Sequence, residues 1–156
     1  MPGERVKRGR MVNEIEKENS GGKRLSGSEL LDEIGRRTAG LFYISETDAE
    51  ITPFSGGRVG NVTAAGLLRI LDLPPETQIE SRNFDDFFER LTRERDWHTE
   101  ADRHRASRFR LLEALLEENL DDGSVFRIGT TRVEIFAVGR DPEGNLVGIK
   151  TMAVET

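Results

Sequence analysis

Residues 132–156 constrain the fold more than any other stretch, because they read as a hairpin that runs to the final residue of the sequence. Val133, Glu134, Ile135, Phe136, Ala137 and Val138 carry the β-branched and aromatic side chains that predict a strand. Asp141-Pro142-Glu143-Gly144-Asn145 supplies turn residues, and residues 146–155 predict the returning strand. The end of the chain is therefore expected to be held by a sheet rather than frayed. A rigid strand would present Thr156 to a partner, and its hydroxyl and terminal carboxylate are oxygen donors of the kind that hard divalent cations take.

At 156 residues with 35% hydrophobic content, the chain fits one domain with a single core plus a loose tail. It has no cysteine, which excludes disulfides and thiolate metal sites and suits a reducing compartment. The basic first ten residues lack the apolar run of a secretory signal, and no stretch approaches the roughly 20 apolar residues of a membrane span. A soluble cytoplasmic protein is expected. Residues 1–25 hold seven Lys or Arg against four Asp or Glu, for +3, leaving 16 against 25 in residues 26–156, for −9. An acidic domain repels phosphate backbones, so direct nucleic-acid binding is not expected, whereas a basic protein groove would be attracted.

Residues 1–27 are polar and glycine-bearing, and predict a disordered extension. Leu30, Leu31 and Ile34 then give a short amphipathic helix, capped by Ser26 or Ser28 and closed by Gly40. Leu41-Phe42-Tyr43-Ile44 reads as a buried strand delivering Ser45-Glu46-Thr47-Asp48 into a loop open to a partner. Ile51-Thr52-Pro53-Phe54 predicts a neighbouring strand, at an edge because of Pro53. Gly56, Gly57 and Gly60 predict a turn or flexible loop and lack the spacing and lysine of a phosphate loop. Further helices are expected from Asn61 through Leu71, from Asn83 or Asp85 around Phe84, Phe87, Phe88 and Leu91, and over about 99–120. In the last of these, Phe109, Leu112, Leu116 and Leu120 form the apolar stripe, which Leu111 and Leu115 widen. More strands complete the chain.

Catalysis needs a nucleophile, base or metal set, and the candidates are thin. His98 and His104 are six apart, which does not put them on one helical face as an i, i+4 pair would be. Asp85 and Asp86 suit the positive end of a helix dipole better than paired acid–base work. Trp97 reads as the anchor of the turn before the long helix, with partner contact as the other possibility. The alternating Arg and Glu residues from 103 to 118 read as a solvated face.

Several blocks, in order, resemble the nuclease A inhibitor family. They are Ser28-Glu29-Leu30-Leu31, Gly40-Leu41-Phe42-Tyr43-Ile44-Ser45-Glu46, Asp85-Asp86-Phe87-Phe88, Asp96-Trp97, the Phe109 to Leu116 pattern, Asn119-Leu120, Val125-Phe126-Arg127-Ile128-Gly129, and the closing Val154-Glu155-Thr156. The resemblance covers residues 28–156. It implies an α-β-α sandwich with a central, largely antiparallel sheet, and a protein that inhibits a magnesium-dependent, sugar-non-specific endonuclease without being an enzyme or needing a cofactor. Carried over by motif, Glu46 and Thr156 would enter the nuclease active site and together mimic the scissile phosphate. Glu46 would face arginines, and Thr156 would approach the nuclease's magnesium; the free protein would hold no metal. The helix at residues 85–91 and the loop at 45–48 are the expected interface. An interaction module of the same fold with a different partner is the alternative; an unrecognised hydrolase lacks the residues it would need.

Overall fold

The computed structural model describes residues 24–155. Thr156 and residues 1–23 of the extension lie outside the described residues. The elements run α1 (Gly27–Thr38), β1 (Phe42–Tyr43), β2 (Ala49–Glu50), β3 (Thr52–Arg58), α2 (Ala64–Ile70), β4 (Ile79–Asn83), α3 (Phe84–Thr92), α4 (Glu100–Asn119), β5 (Asp121–Ile128), β6 (Arg132–Arg140) and β7 (Asn145–Val154). The main sheet has the order β3-β7-β6-β5-β4, and every neighbouring pair is antiparallel. β1 and β2 pair separately.

The period-two side-chain pattern of β6 and β7 separates two cores. Val133, Ile135, Ala137, Val147, Ile149 and Ala153 face α1, α3 and α4, whose Leu30, Ile34, Phe88, Phe109, Leu112 and Leu116 complete the larger core. Phe136, Val138 and Leu146 point the other way and pack beneath α2 through Leu67. The result is the expected α-β-α sandwich, with three helices on one face and a seven-residue helix alone on the other.

Caps fix the helix starts. Thr99 and Asp102 form a reciprocal capping box at α4, and the Asn83 side chain accepts from Asp86 N at α3. The cap of α2 is Thr63, two residues past the expected Asn61, because its hydroxyl accepts the Gly66 N–H. Gly56 and Gly57 lie within β3 rather than in a loop, at a bulge, and a Cβ on Gly56 would sit 2.7 Å from Ile70. The glycine lets α2 settle onto the strand. Ser26 occupies the N-cap position of α1 without capping it, and its hydroxyl bonds Glu143 instead.

Residues 24–27 are tied to the body of the fold. Leu25 N donates to the buried Asn119 side chain, Arg24 reaches the Asn119 carbonyl and Asp121, and Gly27 N donates to Asp141. Residues 24–27, expected to belong to the extension, are thus part of the fold. Among the described residues, no helix is long and apolar enough to cross a membrane.

Candidate functional site

The β1–β2 hairpin leans on β7: one hydrogen bond closes its base and two tie it to the strand. Ile51 N donates to the Leu41 carbonyl, Thr151 Oγ1 donates to the Glu50 carbonyl at 2.9 Å, and Val154 N donates to Ser45 Oγ at 3.1 Å. Ser45 in turn donates to the Thr47 carbonyl at 2.8 Å. A single hydroxyl therefore both shapes the 45–48 loop and fastens it to the last strand. Glu46 follows Ser45 and is exposed, while Val154 stands two residues before Thr156. The loop that carries Glu46 and the strand that leads to Thr156 meet at this bond.

Only Phe42–Tyr43 of the expected buried strand is extended and paired. Leu41 is buried and Tyr43 stacks on Phe87, but Phe42 is 39% and Ile44 48% exposed. Alternation along a two-residue strand turns every second apolar side chain outward. Because all four residues are apolar, no polar marker in the sequence signals the outward face. Phe42 and Ile44 border a cavity of about 160 Å³ completed by Arg90 and Leu91 of α3, His98, and Arg105 and Phe109 of α4. The C-terminal half of α3 thus reaches this surface, whereas Asp85 faces α4.

Trp97 is no buried anchor: it is 74% exposed. The turn before α4 is held instead by His98, whose Nδ1 accepts the Arg95 N–H at 3.1 Å. The Arg95 guanidinium lies 5.3 Å from the Trp97 ring centre, and the His98 ring meets it edge-on. The polar neighbours Arg95, Asp96 and His98 were the signal in the sequence that this tryptophan faces water. Leu111, expected to widen the α4 stripe, is also exposed.

The chemistry available on this surface is that of binding. Glu46 offers carboxylate oxygens, Phe42 and Ile44 offer exposed apolar area bordered by Arg90 and Arg105, and Trp97 is a further exposed aromatic. Carboxylates close enough to share a cation occur elsewhere among the described residues, at Asp85, Glu113 and Glu117. Burial first, and the Asp85 charge second, push the Glu113 carboxyl above its usual range. Burial, then Glu113 and Asp85, do the same to Glu117, although much of that side chain still meets solvent.

The family of nuclease A inhibitor-like proteins matches residues 28–156, nearly the whole described fold. The chain belongs to that family. No curated protein matches it. The nuclease A inhibitor-like match takes in Ser45, Glu46, Trp97 and β7, and extends to Thr156. In this nuclease A inhibitor-like domain, the order of blocks read from the sequence corresponds to α1, the β1–β2 hairpin, α3, the Trp97 turn, α4, β5 and β7.

Proposed function

We propose that the protein inhibits a magnesium-dependent, sugar-non-specific endonuclease by occluding its active site with the 45–48 loop and the last residue of the chain. The observation that carries this reading is the Val154 N to Ser45 Oγ hydrogen bond, which joins the Glu46 loop to the outgoing strand. Glu46 pairs with an arginine that otherwise holds the scissile phosphate, a charge-assisted contact. The Thr156 hydroxyl and carboxylate approach the nuclease's magnesium as hard oxygen donors. The −9 charge of residues 26–156 favours encounter with a basic substrate groove.

Phe42, Ile44 and Trp97 supply the apolar contact that excludes water around those charges. The protein acts as a stoichiometric block and not as an enzyme. Deleting Thr156 abolishes or severely weakens inhibition while the thermal unfolding of the free protein stays near that of the parent. Glu46→Gln weakens binding by about 2–5 kcal/mol, the cost of breaking one side of a buried charge pair. Full inhibition by both folded variants would rule the reading out.

A further inference from the structure

We propose that Arg127 is a positioning residue, which fixes the outgoing end of β7 by clamping Glu155. Arg127 lies on β5, on the sheet face that carries the larger core, and its side chain is only 15% exposed. Its Nε is buried with no hydrogen-bond partner. An arginine so withdrawn from water needs compensating charge. Its guanidinium finds Glu155 Oε2 at 2.5 Å from Nη2, and Glu80 Oε1 at 3.6 Å from Nε. Glu80 is shared with Arg82, at 3.0 Å, so among the described residues Glu155 is the partner that Arg127 does not share.

The backbone shows why the clamp matters. Successive N–H groups of a strand point to opposite sides. Val154 N goes to Ser45, and Glu155 N goes to the Thr131 carbonyl at 2.8 Å. Beside Glu155 a cavity of about 520 Å³, lined by residues 77–80 and 127–130 and by Val133, takes the place of apolar packing. The strand end therefore depends on polar ties, among them the Ser45 hydroxyl on Val154 and the Arg127 guanidinium on Glu155. Its functional meaning, that inhibition needs the chain end held in place, rests on the proposed function; the clamp itself does not.

Amide hydrogen exchange in the free protein, followed residue by residue by NMR, tests the clamp. Arg127→Gln speeds exchange at the Glu155 amide by about tenfold relative to the mid-sheet Ile135 amide, the mark of local opening without global loss. Glu155→Gln, altering an exposed side chain that cannot unfold the core, gives the same local change. Arg82→Gln, which touches Glu80 but not Glu155, leaves that amide as it was, and Arg127→Lys restores part of the protection. Unchanged Glu155 exchange in both folded glutamine variants would overturn the clamp, even if the parent protein inhibits a nuclease. Faster exchange with no loss of inhibition would overturn the positioning role. Faster local exchange in a protein whose parent inhibits no nuclease would leave the clamp standing and remove the proposed function instead.

Discussion

Asp141 is buried at the β6–β7 turn, and three backbone N–H groups justify its burial: those of Glu143 and Asn145 at 2.9 Å and of Gly27 at 3.2 Å. It closes the hairpin and tethers the start of α1 to it. Asp141→Ala leaves three donors without their acceptor, and is expected to lower stability by about 2–4 kcal/mol in urea unfolding. Trp97 is the opposite case, a large side chain that the fold does not use. Trp97→Ala should change stability by less than about 0.5 kcal/mol yet weaken nuclease binding by about 2 kcal/mol or more. Unaltered binding by titration calorimetry would remove Trp97 from the interface. Its exposure was readable in the sequence from the charged residues around it, although its size drew the expectation that it anchors the turn.

At the scale of elements, α3 and α4 cross so that Asp85, in the first turn of α3, comes near Glu113 and Glu117 of α4. Glu113 and Glu117 are one helical turn apart, and like charges at that spacing repel by about 0.2–0.5 kcal/mol. Both carboxyls titrate above their usual range, so the folded state holds its protons more tightly than the unfolded chain. The contribution of these two carboxyls to stability falls as pH rises from the ordinary carboxylate range, about 4, through the raised values. Glu117→Gln is thus expected to raise stability slightly at pH 7 and to lose that advantage near pH 3.5, which paired denaturant melts would show. The sequence displayed Glu113 and Glu117 only as part of a charged helix face, since it contains no information on which helix crosses there. Caps were better legible: the local signals at Asn83 and Thr99 lie within three residues of their partners, although at α2 the cap is Thr63, whose hydroxyl accepts the Gly66 N–H, and not the expected Asn61.

For the whole molecule, the hairpin of residues 132–154 is the frame. β6 and β7 lie next to each other within the five-stranded sheet and separate the two cores, whereas the layer of helices on each side was expected from the family resemblance and not from the strand pattern. What the sequence could not display is the long-range tie between residues 45 and 154, more than a hundred positions apart, because a serine in a loop carries no mark of its partner. That tie supports treating Glu46 and Thr156, the pair that the family resemblance implies, as one proposed surface. The most direct test is a titration of the purified protein into a magnesium-dependent, sugar-non-specific nuclease, with plasmid cleavage as the readout. Cleavage is expected to fall linearly to zero at one protein per nuclease; undiminished cleavage at a large excess of folded protein would contradict the account.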